Sequence, residues 1–471
     1  MNERPSNEVL TRARFYELRD ERTIESIELE ALERTVVAVS IDEGYASSYS
    51  GQATLLILVN LLARWCREVQ VDIPEVLVNT ELAPLGTGSL KATTVNTIKS
   101  ADPFNGPLST EASCIVRIHI GDCPPEGAFQ VHGAGWLATW GDRVSAHSEV
   151  INPLGACLGA CVGCCHAMKV AIGDSDTYDS GSLSLWNLSA GESARDGPSL
   201  TRGDVSSIAL VGAGAVGSSI SYLLPLLKIG IDTITVFDKD NVDFSNLNRS
   251  PIFVLAHVLR QKVDVIREYL EKTEISVTPI GSWLDEVEDL NLGKFDLVIP
   301  AANERNVQIA MMVHCPVVMI GSTTGTNWDI NVNRHIALRD DCLECRVPTP
   351  IIEPQMKCST ASFGADPTTS ADPATGALPF LSLAAAVFAT AEIVKLSSFP
   401  ERLRHNNSLA VGFRAPSTPV LATNRTPKPG CIHCPIPSVY EAVRNSHKFF
   451  WLSSAENSTV RKNPGDDIEL A

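Results

Sequence analysis

The sequence predicts an α/β protein with two α/β units, of which the second is a Rossmann-like nucleotide-binding domain. Apolar segments of strand length alternate with longer apolar segments of helix length along most of the chain. The strand Ile208–Val211 runs into Gly212-Ala-Gly214-Ala-Val-Gly217, and a helix and a second strand follow. A degraded copy of this strand, turn, helix and strand order lies nearer the N-terminus.

Length and composition restrict the function classes. A chain of 471 residues can bury two or three domain cores. The net charge of −17 argues against nucleic acid or an anionic membrane surface as a partner, whereas a small basic protein fits it. The N-terminus is charged and lacks a signal-peptide core, so we expect a cytoplasmic protein. Thirteen cysteines favour metal and thiol chemistry over a disulfide scaffold.

The apolar run 377–391 is too short to span a bilayer, so we interpret it as a buried helix and expect no membrane partner.

The first unit is predicted over residues 1–173. Residues 1 to about 33 have helical spacing and several arginines, which is typical of a solvated surface helix. From Thr35 the order is strand, turn, helix and strand, with a further strand predicted at Cys114–Ile120, but the glycine motif is missing. Tyr45, Ser47 and Ser48 stand where bare backbone would have to meet a phosphate. We therefore predict an α/β unit that does not bind nucleotide.

A helix over residues 152–172 is rich in alanine, glycine and cysteine. Its spacing places several possible metal ligands on one face, namely Cys157, Cys161, Cys164, Cys165 and His166. A narrow helix that packs closely on a sheet explains the same composition, and we favour this interpretation. Residues 174–203, rich in serine, glycine and aspartate, are predicted to be a linker.

The glycine motif of the second unit has a mechanical explanation. Gly212 permits a tight turn, Gly214 lets backbone approach a phosphate, and Gly217 lets the helix pack closely on the strand. The free N–H groups at the start of that helix attract anions. Asp238 ends the strand Thr233–Phe237 and is placed to accept ribose hydroxyls.

The residues after Asp238 favour ATP over a dinucleotide. Asp240, Asn246 and Arg249 place a carboxylate, an amide and a guanidinium beside the phosphate turn, which suits phosphoryl chemistry. The segment resembles the ThiF/MoeB/HesA adenylyltransferase family, which includes the ubiquitin-activating enzymes. Members carry a glycine turn, an Asp-x-Asp and an Asn-Leu-x-Arg in this order. The resemblance implies an active ThiF-type adenylation domain over residues 204–436, preceded by an inactive adenylation-like one.

The resemblance also implies roles for residues around ATP and Mg²⁺. Members supply an arginine from an N-terminal helix, and Arg14 matches that role best, with Arg12 next. Lys262, on a helix predicted over residues 255–271, stands where members keep a phosphate-binding lysine. Asn303 stands where members have a magnesium-binding aspartate; an amide oxygen can ligate the ion but brings no charge. Glu304 or Asp240 could supply that carboxylate.

Two CxxC pairs form a candidate metal site. Together they supply four thiolates, enough for a closed tetrahedral zinc site: Cys342, Cys345, Cys431 and Cys434. The resemblance implies a structural Zn²⁺ at these positions.

Cys358 is a candidate nucleophile. It lies in a polar, proline-rich segment where Lys357 favours the thiolate, although an incidental loop cysteine is the alternative. The resemblance places a reactive cysteine in this crossover loop, residues 346–376, and leaves residues 437–471 as a tail.

The implied activity is ATP-dependent activation of a ubiquitin-like protein that ends in glycine. C-terminal adenylation would precede a thioester, from which a conjugating enzyme would accept the protein. Two adenylation-like units favour this activity, in the form found in bacterial ubiquitin-like conjugation systems, over sulfur-carrier adenylation. An NAD-dependent oxidoreductase would explain Asp238 but not Arg249 or Lys262. A non-catalytic scaffold would explain Asn303.

Overall fold

The computed structural model describes residues 10–21, 29–346 and 378–453. Short gaps within these ranges lie at residues 109–110, 177, 283, 288–289, 303–306, 308–310, 315, 326, 404–405, 415–419, 432–433 and 435–445. Two mixed α/β units share a hydrophobic core to which both sheets contribute, and a smaller apolar cluster lies within the second unit.

The first unit is built on a six-stranded sheet. Its strands are β1 (Thr35–Ile41), β2 (Glu68–Asp72), β3 (Cys114–Ile120), β4 (Phe129–Ala134), β5 (Leu137–Trp140) and β6 (Gly181–Ser184). Its helices are α1 (Arg12–Asp20), α2 (Leu29–Glu33), α3 (Glu43–Ala46), α4 (Tyr49–Ala63), α5 (Leu90–Ala101) and α6 (Leu154–Ala171). The spatial order is β2-β1-β3-β4-β5-β6, parallel from β2 to β4 and antiparallel beyond.

The second unit is built on an eight-stranded sheet. Its strands are β7 (Ser207–Val211), β8 (Thr233–Phe237), β9 (Ser276–Ile280), β10 (Leu297–Pro300), β11 (Val318–Thr324), β12 (Asp329–Ile336), β13 (Ser408–Gly412) and β14 (Val420–Thr423). Its named helices are α7 (Ala215–Leu227), α8 (Lys262–Leu270), α9 (Leu343–Arg346) and α10 (Pro379–Ser398). The spatial order is β14-β13-β12-β11-β10-β7-β8-β9, parallel from β9 to β11 and antiparallel beyond.

The two units share an element order. In each, a central strand (β1 or β7) is followed by a buried helix (α4 or α7), a neighbouring parallel strand (β2 or β8) and a short 3₁₀ turn. In each, an antiparallel strand precedes a long core helix, α6 or α10, and these two helices pack against each other. The order of strand, helix and strand expected from the sequence is therefore present in both units.

Helix α6 shows why its sequence is rich in small residues. A Cβ at Gly159 would lie 2.6 Å from the carbonyl oxygen of His132 on β4, so the helix touches the sheet through its glycines. All four of its cysteines are buried; Cys164 accepts a hydrogen bond from Trp65 Nε1 at 3.3 Å, and His166 stacks on Phe129. These contacts agree with the packing interpretation.

Helices α6 and α10 also have the length and apolar composition that could cross a membrane, but 89% and 100% of those apolar windows are buried inside the protein. The burial of α10 is what the core-helix interpretation of the run 377–391 predicts.

Two predicted boundaries differ from the structure. Gly181–Ser184, inside the range predicted as a linker, forms β6 because it pairs along Leu137–Trp140 of the first sheet. The helix expected from residue 255 begins at Lys262 instead. Residues 255–257 form a 3₁₀ turn. The Val242 N–H then donates to the carbonyl of Arg260, and this hydrogen bond keeps the residues just before Lys262 out of the helix.

Candidate functional site

The glycine turn lies at the carboxyl end of β7. Gly212 has a φ of 100°, and a Cβ there would lie 2.7 Å from the carbonyl carbon of Ala301. A Cβ at Gly217 would lie 2.0 Å from the carbonyl oxygen of Gly212. A Cβ at Gly214, by contrast, would meet nothing within 4 Å among the described atoms. Two of the glycines thus allow close packing, and the third borders open space at the start of α7.

Asp238 stabilises this turn from the end of β8. One carboxylate oxygen accepts the Ala213 N–H at 2.7 Å, and the other accepts the Asp240 N–H at 2.8 Å. Burial raises the pKa of Asp238, and the nearby Lys262 ammonium acts in the opposite direction. The carboxylate lies beside the turn, where the sequence placed it; its role towards ribose stays a prediction.

Lys262 begins α8 and brings a buried positive charge to the same place. Its Nζ lies 3.0 Å from a carboxylate oxygen of Asp240 and 4.0 Å from one of Asp238. The side chain is only 5% exposed, and its own N–H donates to the Asp240 carbonyl at 3.0 Å. A cation held by two carboxylates next to a glycine turn can interact with phosphate oxygens.

Asn246 and Arg249 lie in the loop that follows β8. The 3₁₀ turn Phe244–Asn246 is closed by Asn246 Oδ1, which accepts the Asp243 N–H at 2.9 Å. Arg249 is 8% exposed, and its N–H donates to the Asn246 carbonyl at 3.3 Å. The structure places both residues in one buried loop, and their contribution to nucleotide binding stays a prediction.

The N-terminal helix packs on that same loop. Helix α1 contacts the turn Phe244–Asn246, and a role of its arginines at the ATP site stays a prediction. Arg14 is about half exposed and pairs with Glu17 on its own helix at 2.7 Å, so its proposed role is untested by these contacts. Arg12 donates to the Gly106 and Pro107 carbonyls at 3.1 and 3.0 Å.

Arg19 is the buried arginine of this helix, and it is not among the site residues predicted from the sequence. Its guanidinium pairs with Asp20 at 2.9 Å and with Asp102 at 3.2 Å, and it lies over the Tyr16 ring. These contacts anchor α1 to the first unit. The available signal was the three-residue spacing of Tyr16 and Arg19, which places them on one helix face.

Three predicted residues lie outside the described residues: Asn303, Glu304 and the candidate nucleophile Cys358. The crossover loop from residue 347 onward, and most of the tail, lie outside them too.

The two CxxC pairs come together at the edge of the second unit. Sγ–Sγ distances are 3.8 Å for Cys342 and Cys345, 3.6 Å for Cys342 and Cys431, and 3.3 Å for Cys345 and Cys434. All four sulfurs lie within 4.8 Å of one another. Tetrahedral Zn–S bonds of about 2.3 Å place sulfurs about 3.8 Å apart, so the four thiols fit such an ion. Burial raises the pKa of Cys342 to about 12.

Comparisons with known families divide the chain as the structure does. Residues 199–431 match the ThiF family, and residues 36–185 match the BilD N-terminal domain. The first match covers the glycine turn, Lys262 and three of the four clustered cysteines, since it reaches Cys431.

Curated relatives match shorter parts of the chain. The uncharacterized protein y4jF of Sinorhizobium fredii is 26% identical over 65% of this chain and 59% of its own length. The SUMO-activating enzyme subunit 2 of Dictyostelium discoideum is 30% identical over 31% of this chain and 22% of its own length. The molybdopterin-synthase adenylyltransferase of Escherichia coli is 28% identical over 26% of this chain and 49% of its own length. The chain therefore spans less than two thirds of the length of each of these relatives.

Solved structures of Escherichia coli MccB also match. The structure with ATP is 20% identical, covers 49% of this chain and 66% of that chain, and has a TM-score of 0.38.

Proposed function

Residues 199–431 belong to the ThiF family, and from this premise we propose that the chain is an ATP-dependent adenylyltransferase that activates the C-terminus of a small protein. The observation that carries the proposal is the open space that Gly214 borders among the described atoms. The neighbouring Ala213 N–H donates to Asp238, and the buried cation Lys262 lies 4.0 Å from that carboxylate. A phosphate group there would meet helix N–H groups and a positive charge together.

ATP fits the residues that are present. The N–H groups at the start of α7 and the Lys262 ammonium would bind phosphate oxygens, and Arg249 would orient them. Asp238 would accept ribose hydroxyls. Asp240, together with Asn303 outside the described residues, would hold Mg²⁺, which would neutralise phosphate charge.

In the proposed reaction the partner's C-terminal carboxylate attacks the α-phosphorus of ATP. A bond forms between a carboxylate oxygen and that phosphorus, and pyrophosphate leaves. The Cys358 thiolate would then attack the acyl carbon, so that a thioester forms and AMP leaves. Cys358 comes from the sequence resemblance, since it lies outside the described residues.

We propose a ubiquitin-like protein ending in glycine as the partner, with a conjugating enzyme as the acceptor. The similarity to a SUMO-activating enzyme subunit and the presence of two α/β units support this choice. The similarity to a molybdopterin-synthase adenylyltransferase keeps sulfur-carrier activation as the second candidate.

In this proposal the first unit binds no nucleotide. The position that corresponds to the glycine turn is occupied by helix α3. Its Tyr45 is buried, packs edge-on against His132 and His147 at 4.8 and 5.2 Å, and donates to the Ser145 carbonyl. These side chains fill the space that a phosphate would need.

The four clustered cysteines would hold a structural Zn²⁺. Their sulfur separations fit one tetrahedral ion, and four protein ligands leave no position for a substrate.

Exchange of labelled pyrophosphate into ATP tests the proposal, with candidate small proteins that end in glycine. We expect partner-dependent exchange by the wild type and by Cys358→Ala, and a thiol-sensitive adduct with the wild type alone. Cys123→Ala, which removes an exposed cysteine, is the matched control and should keep both signals. An adduct that persists in Cys358→Ala would refute that nucleophile, and partner-independent NADH turnover would refute the adenylyltransferase.

A further inference from the structure

A buried arginine of the first unit reaches into the second. Arg64 follows α4 and is 1% exposed. Its guanidinium donates to the Leu247 and Pro251 carbonyls, both at 2.7 Å, and to the Phe253 carbonyl at 3.1 Å. Its Nε donates to Asn60 Oδ1 at 2.8 Å, and Asn60 in turn donates to the Pro251 carbonyl at 3.3 Å. The guanidinium is thus committed to one loop of the other unit.

The acceptors of Arg64 identify what it holds. Leu247 lies two residues before Arg249, and Pro251 lies two residues after it. A rigid planar group bonded to both carbonyls fixes the backbone on each side of Arg249, and so the direction in which that side chain leaves the loop. Helix α1 contacts the preceding turn, so the first unit touches this loop at two places.

Packing alone does not explain an arginine at this position. Within the part of the chain that the structure describes, no carboxylate forms an ion pair with Arg64, and burial without one lowers its pKa to about 9. A buried charge is costly, and an apolar residue would fill the same space at lower cost. What the guanidinium adds is the fixed shape of a backbone loop.

The corresponding residue of the second unit provides a comparison. Lys228 caps α7 as Arg64 caps α4, and it crosses to Glu81 in the 3₁₀ turn Thr80–Leu82 of the first unit. The Lys228 side chain is about half exposed, and Glu81 is its single described partner. The two units therefore exchange basic side chains, but the contact to the loop of Arg249 is the buried, multiply bonded one.

We propose that Arg64 is a positioning residue through which the first unit holds Arg249 in the conformation that binds ATP. The inference rests on the proposed function, because it assigns Arg249 to the phosphates. It gives the nucleotide-free first unit a role in the chemistry of the second.

Titration calorimetry with Mg·ATP on the full chain tests the inference without a protein partner. The variants are Arg64→Met, which keeps the stem, and Arg64→Lys, which keeps the charge but cannot bridge both flanks of Arg249. Lys228→Met is the matched control. We expect ATP affinity to fall about tenfold in Arg64→Met, because a misdirected Arg249 would lose about one charge-assisted hydrogen bond to a phosphate oxygen. The ATP affinity of Arg64→Lys should lie between those of the wild type and Arg64→Met, and the ATP affinity of Lys228→Met should match that of the wild type.

Chemical rescue separates positioning from folding. A cavity of about 590 Å³ borders Arg64, Tyr222 and Pro251, so a small cation can reach the site. We expect added guanidinium, well below denaturing concentrations, to restore ATP affinity to Arg64→Ala, whereas urea at the same concentration should not. If Arg64→Met is too unstable for calorimetry, rescue and Arg64→Lys decide the question.

A wild type that does not bind ATP refutes the proposed function. A wild type that binds ATP, with Arg64→Lys and Arg64→Met binding equally well, refutes positioning by Arg64 alone. If Lys228→Met weakens ATP binding as much as Arg64→Met does, the inference is also refuted, because any contact between the units would then affect ATP binding equally.

Discussion

Replacing Gly214 with alanine adds one methyl group to the glycine turn at a point that borders open space among the described residues. A Cβ there meets no described atom within 4 Å, so we expect the free energy of unfolding to change by less than about 0.5 kcal/mol. Gly217→Ala is the contrasting change. Its Cβ would lie 2.0 Å from the Gly212 carbonyl oxygen, far inside ordinary contact, and should cost about 3 kcal/mol of stability.

The effect of Gly214→Ala on ATP should be large despite the small effect on folding. The methyl group would keep a phosphate away from the N–H groups at the start of α7. Losing two charge-assisted hydrogen bonds, at about 1.5 kcal/mol each, weakens ATP binding about 100-fold.

Calorimetry with Mg·ATP measures this affinity, and urea unfolding measures stability on the same samples. The expected result is a Gly214→Ala protein that is as stable as the wild type but binds ATP about 100-fold more weakly. Wild-type ATP affinity in a folded Gly214→Ala protein would refute the placement of phosphates against this turn.

Three further changes test other parts of the structure. Lys262→Met should weaken ATP binding at least about tenfold in calorimetry and lower the free energy of unfolding by about 1–3 kcal/mol, since it removes the cation 3.0 Å from the Asp240 carboxylate, which is only 12% exposed. Adding Asp240→Asn should restore the stability but not the ATP affinity. Cys345→Ser should reduce bound zinc, measured by metal analysis, and a chelator should then lower the melting temperature of the wild type only. Burial lowers the pKa of His132 to about 3, so the folded ring stays neutral while the unfolded one takes up a proton near its ordinary value of 6.5. Urea unfolding should therefore show stability falling from pH 6.5 towards pH 3, by up to about 1.4 kcal/mol per pH unit from this group, and a pH-independent contribution would contradict it.

Elements with a strong apolar pattern could be predicted closely. The strand Cys114–Ile120 and the strand Thr233–Phe237 have the predicted bounds. Strand β6 could not be predicted, because Gly181–Ser184 has no apolar pattern and its formation depends on pairing with β5. The later start of α8 depends likewise on a backbone contact between Val242 and Arg260.

The candidate site likewise contains features that the sequence predicts and features that it does not. Gly212, Asp238 and Lys262 come together where the motif spacing and the resemblance placed them, and the two CxxC pairs also meet. The role of Arg64 could not be predicted, because its partners are backbone carbonyls and these have no sequence signature. Arg14 matched the family pattern, but contacts of the whole fold were needed to show that Arg19 is the buried arginine.

The fate of the carboxylate oxygens tests the central claim most directly. A partner protein whose C-terminal carboxylate carries heavy oxygen would be incubated with the enzyme, ATP and Mg²⁺, and the nucleotide product analysed by mass spectrometry. Attack on the α-phosphorus, followed by acyl transfer, predicts AMP that contains one heavy oxygen atom. AMP without heavy oxygen, or ADP as the product, would contradict the account.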